Sequence, residues 1–388
     1  MNSRDRFLRT LEFGTVDYGF NHELGLWGQT FDRWWAEGMP RDVHVGDLIR
    51  GCAYFGLERI EYLGLNVLGM LPPYDEETLS EDERYIVKRY SDGRVTKALK
   101  EGEAHGTRMS MDQGLSWPVV TRDDWAEVKR RFNAHSPARY PQWWDDEVRR
   151  LNGRDYPLAL THNGCFGLYS WLRTLMGTRN ACLVFYDDPV LAEDILDYLT
   201  DYLIELTHPA LDRLQCDYFN FFEDFAGKGG PLIGPKLFRK FLLPRYRRII
   251  AHLNSHDIRH IWLDSDGDTR VLIPLFIEMG VTVHWPLERA AGMDPVEIRR
   301  LYGHALGLAG GIDKRELITD FAAIDAELNR IAPLIEDGGY IPTLDHAVPP
   351  DIPYANWLYY LERKARLLGV DPNTIPALRE RDAAVSAR

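Results

Sequence analysis

The chain has 388 residues, of which 45% are hydrophobic and 12% aromatic, a composition typical of an ordered globular protein. Its net charge of −13 argues against nucleic-acid binding, which depends on clustered lysines and arginines. No stretch has the roughly 20 apolar residues of a membrane span, the first residues lack the apolar core of a signal peptide, and the four cysteines contain no CxxC pair. We therefore expect a cytoplasmic protein that binds neither nucleic acid nor a membrane.

The first third of the chain mixes helical and strand patterns. Residues 3–13 predict an amphipathic helix, and a short strand pattern at residues 18–20 leads to His22 and Glu23. Between about residues 58 and 112, alternating segments flank the turn sequence at residues 91–93, which predicts a β-hairpin. We interpret this stretch as an insertion between early strands.

Six later apolar runs each end in polar or ionisable side chains. They cover residues 156–163, 217–224, 258–266, 281–288, 305–313 and 339–346, and helical patterns separate them. This alternation favours parallel strands, and chemistry at the carboxyl ends of such strands is typical of a (βα)8 barrel enzyme. We therefore predict an α/β fold, a (βα)8 TIM barrel with an N-terminal β-hairpin insertion. Residues 1–372 form its single domain, and residues 373–388 are expected to be a flexible tail.

The densest group of carboxylates follows the third of these runs. Asp264, Asp266 and Asp268 alternate where the strand ends, and like charges this close need a cation, a proton or a helix N-terminus beside them. Asp268 can be explained as a helix cap, which leaves Asp264 and Asp266 as candidates for catalysis.

His346 ends the last run and precedes a proline-rich loop that holds it at the mouth of the strand. A histidine there can be a general acid or base, a metal ligand, or only a loop residue bonded to backbone. We predict four catalytic residues: Asp264, Asp266, His346 and Glu223. The substrate-binding candidates, each of which has a purely structural alternative, are His22, His162, Asn163, Asp224, His284, Glu288 and Asp313.

Several ordered segments resemble the uroporphyrinogen decarboxylase (URO-D) superfamily. They are residues 229–238, 243–246, 264–268, 291–295, 310–313 and 346–351. The resemblance implies a (βα)8 barrel and places the chain near the cofactor-free decarboxylase of the haem pathway and the corrinoid-linked methyltransferases. The decarboxylase has an arginine-rich N-terminal motif for the carboxylates of its substrate, whereas residues 21–28 contain no arginine here. This departure argues against uroporphyrinogen as the substrate.

The methyltransferase branch of the superfamily has a zinc site made of His-x-Cys after one strand and a later cysteine. By resemblance, those positions are Asp264, Asp266 and His346 in this chain, which predicts a harder metal site for Zn²⁺, Mn²⁺, Fe²⁺ or Mg²⁺. The favoured hypothesis is metal-assisted or acid/base methyl transfer on a small to medium-sized substrate. A corrinoid is then the co-substrate and a corrinoid protein the partner. The alternatives are a decarboxylase or lyase without metal, and a non-catalytic binding barrel. Barrel enzymes often form homodimers, so a dimer is compatible with each hypothesis.

Overall fold

The central strands are buried along their whole length. The computed structural model describes residues 1–42, 48–63, 69–109, 111–160 and 166–386. Within these ranges the strands are β1 (Glu61–Tyr62), β2 (Glu77–Glu81), β3 (Tyr85–Arg89), β4 (Val95–Leu99), β5 (Glu103–Ala104), β6 (Thr107–Arg108), β7 (Gln113–Ser116), β8 (Leu158–Leu160), β9 (Tyr218–Phe222), β10 (Ala226–Gly227), β11 (Gly230–Pro231), β12 (His260–Asp264), β13 (Val283–Trp285), β14 (Gly307–Ala309) and β15 (Tyr340–Ile341).

Seven of these strands form one curled parallel sheet in the order β1-β8-β9-β12-β13-β14-β15. Trp262 in β12 pairs with Asn220 of β9 on one side and with Val283 of β13 on the other. The apolar and aromatic sequences of β9 and β12 suit a parallel sheet that is covered on both faces.

Helices surround this sheet. In the described ranges they are α1 (Ser3–Leu11), α2 (Gly28–Ala36), α3 (Arg122–Lys129), α4 (Trp144–Asn152), α5 (Leu168–Asp187), α6 (Pro189–Leu211), α7 (Pro235–Leu237), α8 (Leu243–Ser255), α9 (Ile273–Met279), α10 (Pro295–Tyr302), α11 (Glu316–Thr319), α12 (Phe321–Asp337), α13 (Tyr354–Leu368) and α14 (Pro376–Ser386). The alternation of strand and helix from β8 onwards agrees with the sequence pattern and is consistent with the predicted barrel.

Aromatic side chains fill the inner side of the sheet. Phe7 of α1 stacks on Trp262, with ring centroids 5.8 Å apart, and also contacts Tyr218 at 5.2 Å. Because side chains alternate along a strand, Ile261 and Leu263 point the other way and pack in the main core. The aromatic layer therefore closes the interior below the carboxyl end of β12.

Residues 21–27 connect the two edges of the sheet. The N–H of Glu58, just before β1, donates to the carbonyl of Asn21 (2.8 Å), and the N–H of Val348, after β15, donates to the carbonyl of Gly25 (2.9 Å). Leu26 and Val348 form a parallel bridge. This segment therefore occupies the gap between β1 and β15.

A buried ion pair fixes that segment. Nζ of Lys364 in α13 donates to Oε1 of Glu23, and both side chains are 1% exposed. Oε1 also accepts from the hydroxyl of Tyr360 (2.6 Å), while Oε2 accepts from the N–H of Leu344 (3.0 Å). Glu23 thus connects the N-terminal segment with both α13 and the chain that follows β15.

Strands β2, β3, β4 and β7 form a separate antiparallel sheet, which lies between β1 and β8 in the chain. Its description as an insertion into a barrel stays a prediction. The segment expected to be a flexible tail contains α14, with Leu378 buried, and its flexibility also stays a prediction. No helix in the described part of the chain is long and apolar enough to cross a membrane.

Replacing Lys364 by methionine should lower the free energy of unfolding by about 3–5 kcal/mol, because Glu23 would remain buried without its cation. The control is Arg363→Met, since Arg363 is 40% exposed and pairs with Asp325 at the surface. That change should cost at most about 1 kcal/mol. Urea unfolding at pH 7 measures both, and equal losses would contradict a special role for the buried pair.

Candidate active site

Asp264 ends β12 on the inner side of the sheet. It is 6% exposed and lies two residues after Trp262, so its side chain points to the same side as that ring. Burial raises the pKa of Asp264 well above its usual value, and the negative charges of Asp266 and Asp224 raise it further. The surroundings therefore favour the neutral acid.

Asp266 and His346 face each other at the carboxyl ends of β12 and β15. Oδ2 of Asp266 lies 3.6 Å from Nε2 of His346, and the two side chains are 39% and 27% exposed. Oδ1 of Asp266 is buried, and no described residue donates a hydrogen bond to it. The ring of His346 stacks on Trp27, with centroids 5.6 Å apart. The pair thus combines an oriented imidazole with a carboxylate oxygen that can still accept a hydrogen bond or bind a cation.

Backbone contacts hold the loop that carries Asp266. The N–H of Gly267 donates to Oε2 of Glu288 (3.1 Å), and the N–H of Asp268 donates to the carbonyl of Gly227 (3.0 Å). Gly267 has a φ of 79°, and a Cβ there would lie 2.7 Å from neighbouring backbone. A residue without a side chain is therefore needed at this position.

Asp224 brings a third carboxylate close to the same region. Its Oδ2 lies 3.0 Å from an Nη of Arg173 in α5. Burial raises the pKa of Asp224, the cation of Arg173 opposes this, and the negative charge of Asp266 adds to it. The charge effects of Asp266 on both Asp224 and Asp264 show that the three carboxylates form one electrostatic cluster.

Glu223, predicted to be catalytic, lies beneath the cluster at the start of α5. Its carboxylate accepts from the N–H groups of Tyr169 (3.1 Å) and Ser170 (2.8 Å), and it is fully buried. Burial raises its pKa to about 8, although the two backbone bonds act in the opposite direction. A Cβ on Gly167 would lie 2.3 Å from the carboxyl carbon of Glu223, so the chain is tightly packed here. The contacts of Glu223 are those of a helix cap.

His22 and His284, two histidines that were predicted to bind substrate, are buried in the core. Nδ1 of His284 donates to the carbonyl of Leu263 (3.1 Å), and its Nε2 accepts from the hydroxyl of Thr269 (2.9 Å). Burial lowers the pKa of His284 to about 4. Burial, together with the nearby cation of Lys364, lowers that of His22 to about 3. Both rings are therefore neutral and lie in the core.

Of the remaining predicted residues, the structure describes Glu288 and Asp313. Glu288 holds Gly267, as described, and Asp313 forms a two-bond ion pair with Arg315 (2.8 and 2.6 Å). His162 and Asn163 lie outside the described residues. The prediction that Asp268 caps the following helix is wrong: the N-cap residue of α9 is Leu272, and the carboxylate of Asp268 pairs with Arg270 instead.

A cavity of about 510 Å³ opens between the antiparallel sheet and Asp224. Its wall contains three arginines, Arg94, Arg108 and Arg173, together with Asp112. Sequence reasoning missed these residues because they lie on a helix and in the antiparallel segment, and no strand-end pattern marks them. Trp27 was also missed, although it closely follows His22 and Glu23.

The metal set suggested by resemblance is only partly assembled. Asp266 and His346 are close enough to share a cation, and Oδ1 of Asp266 is free among the described residues. Asp264, Asp266 and His346 nevertheless do not place three ligand atoms within 4.8 Å of one another. Their geometry fits two ligands of a cation and needs a further donor, such as a substrate or water oxygen, to complete it.

Comparison with known proteins identifies the family. The uroporphyrinogen decarboxylase (URO-D) family profile matches residues 96–364, which is more than half of the chain. The chain therefore belongs to the uroporphyrinogen decarboxylase family. It is similar to the uroporphyrinogen decarboxylase of Rickettsia bellii (strain RML369-C), with 22% identity over 175 residues. That match covers 44% of this chain and 48% of the relative.

A solved structure supports the fold over the whole length. The chain is similar to a methyltransferase from Methanosarcina mazei, with a TM-score of 0.54, 16% identity and 99% of each chain covered. At this identity the likeness concerns the fold alone.

The neutral state of His284 predicts a pH-dependent stability. The unfolded chain binds a proton at this residue below about pH 6.5, whereas the folded protein binds it only near pH 4, so stability falls as the pH drops through this window. Between pH 7 and 4.5 the loss should be about 2.5 kcal/mol smaller in His284→Asn than in the wild type. Urea unfolding at both pH values tests this.

His135→Asn is the matched control for this effect, because His135 is 77% exposed. Its pH dependence should equal that of the wild type. An unchanged pH dependence in His284→Asn would show that His284 takes up its proton without unfolding.

Proposed function

We propose that the protein is a group-transfer enzyme, with methyl transfer as its reaction and the Asp266–His346 pair as its acid/base centre. The observation that carries this proposal is the 3.6 Å approach of Nε2 of His346 to Oδ2 of Asp266 at the mouth of the parallel sheet. A carboxylate beside an imidazole is the usual way to orient a general acid or base. The fold likeness to a methyltransferase is compatible with this reaction.

His346 is suited to move a proton during such a transfer. When a methyl group leaves a heteroatom for an acceptor nucleophile, the bond from carbon to the heteroatom breaks and the heteroatom needs a proton. In the acid/base form of the reaction, protonated His346 supplies it from Nε2, the nitrogen that faces Asp266. Trp27 keeps the ring in place by stacking on it. The partly exposed histidine can exchange its proton with water between turnovers.

Asp264 would act as a neutral hydrogen-bond donor. A carboxyl group whose pKa is raised by burial can donate to a substrate oxygen or nitrogen, which an ionised carboxylate cannot do. Donation from Asp264 would orient the heteroatom and spread the charge that develops on it.

The substrate would be small to medium-sized. The 510 Å³ cavity beside Asp224 lies within the usual range for small-molecule sites. Arg94, Arg108 and Arg173 face Asp112 and Asp224 there, so the wall offers both charge signs. The negative charge of Asp266 at the mouth would repel a polycarboxylate, which argues against a substrate such as uroporphyrinogen.

In the metal-assisted form of the reaction, His346 would instead be unprotonated, and Asp266 and His346 would together hold a cation that polarises the substrate heteroatom. A corrinoid protein is the proposed partner, because the superfamily resemblance includes corrinoid-linked methyltransferases. The metal-free alternative is a decarboxylase or lyase in which His346 moves a proton beside Asp264. The raised pKa of Asp264 is compatible with either reaction. Release of CO₂ from aromatic or pyrrole acids without methyl transfer would select it.

Methyl transfer can be sought with methoxylated aromatics, methylamines and methyl thioethers as donors and free cob(I)alamin as acceptor, followed by visible absorption. With the best donor, Asp266→Asn and His346→Gln should each lower kcat/KM by about 10²–10⁴-fold, the usual contribution of a general acid or base. The controls Asp325→Asn and His135→Gln change surface residues of the same types and should retain activity. Wild-type activity in both mouth variants would contradict the proposal.

Metal analysis of protein purified without chelator tests cation binding at the mouth separately. Wild-type protein should contain more bound divalent metal than Asp266→Ala or His346→Ala, because each change removes one of the two ligands. Equal metal content in all three proteins would exclude the metal-assisted form and leave acid/base transfer.

A further inference from the structure

Three histidines gather at the face opposite to the candidate active site. His208 lies in the last turn of α6 and His252 in the last turn of α8, and His256 follows α8 directly. These helices precede β9 and β12, so their C-terminal ends lie beside the amino ends of those strands. In barrel proteins this face serves stability rather than catalysis.

The three rings converge. One nitrogen of each ring lies within 4.8 Å of the others, and Nδ1 of His208 lies 3.2 Å from Nε2 of His256. Two imidazole nitrogens bound to one tetrahedral Zn²⁺ at about 2.0–2.1 Å would be about 3.3 Å apart. The observed separation of His208 and His256 therefore already suits a shared ion.

Neighbouring side chains orient the rings from outside. The carboxylate of Asp212 lies 3.6 Å from Nε2 of His208 and 3.7 Å from Nδ1 of His256, which are the two nitrogens that point away from the shared region. A carboxylate behind a metal-binding histidine fixes the direction of the ring and raises its basicity. Thr207 contacts Nε2 of His252 at 3.0 Å.

The sequence spacing of these residues also brings their side chains together. His252 and His256 are four residues apart, as are His208 and Asp212, so each pair lies on one side of its helix end. Two helix ends thus contribute ligands to one point. His208 is 59% exposed, which leaves the group open to an ion from solvent.

We propose that His208, His252 and His256 form a structural site for a divalent transition metal of the Zn²⁺ class that joins α6 to α8. Three imidazoles select Zn²⁺, Co²⁺, Ni²⁺ or Cu²⁺ over Mg²⁺ and Ca²⁺, which prefer oxygen ligands. The fourth position is open to water. The site is independent of the proposed reaction.

Zn²⁺ titration of the chelator-treated, full-length protein tests the site by calorimetry and thermal unfolding. The background is Asp266→Asn, so that the mouth contributes no ligand pair. Zn²⁺ should bind and raise Tm, whereas Mg²⁺ should not. Adding His208→Asn or His256→Asn should weaken Zn²⁺ binding by about tenfold or more, comparable to losses measured when ligand support is removed. His135→Asn, which removes an exposed histidine elsewhere, should change nothing.

Co²⁺ gives an independent spectroscopic readout. The visible absorption of tetrahedral Co²⁺ should appear in the Asp266→Asn protein and disappear with His256→Asn. The proposal is overturned if the Asp266→Asn protein binds no Zn²⁺, or if His208→Asn and His256→Asn bind it as tightly as their parent. Because His208 is largely exposed, its variant remains folded and keeps the test decisive.

Discussion

Lys364 and Glu23, each 1% exposed, hold the N-terminal segment against α13. Desolvating two charges is costly, and the cost is offset only because Glu23 also accepts from Tyr360 and from the N–H of Leu344. Leu344 lies two residues before His346, and the segment that carries Glu23 continues to Trp27. The buried pair therefore fixes both chains that hold the proposed imidazole.

At the carboxyl end of β12, by contrast, no ion pair among the described residues offsets the desolvation of Asp264. No described cation faces Asp264, so burial and neighbouring carboxylates favour its neutral form, while Asp224 has Arg173 beside it. Asp266 is more exposed and lies next to His346. Burial and the charge of Asp266 thus raise the pKa of both Asp264 and Asp224, and Arg173 opposes this rise only at Asp224.

Much of this arrangement follows from the sequence. Apolar runs that end in Asp264, Asp266 and His346 imply side chains at one edge of a parallel sheet, and the structure brings Asp266 and His346 together there. The sequence could not show that Glu223 turns onto the start of α5, because the N–H groups that it binds, those of Tyr169 and Ser170, are distant from it in the chain.

Contacts between residues that are distant in the chain could not be predicted from the sequence either. His284 has the strand-end position of a site residue, yet both its nitrogens bond to core partners that are distant in the chain. The arginine wall joins α5 to an antiparallel segment whose packing no periodicity predicts.

The central claim is that Asp266 and His346 act as one unit. A double-mutant cycle on single-turnover methyl transfer with Asp266→Asn and His346→Gln measures this directly. We predict that the double variant is about as slow as the slower single variant, and multiplicative losses would contradict the account.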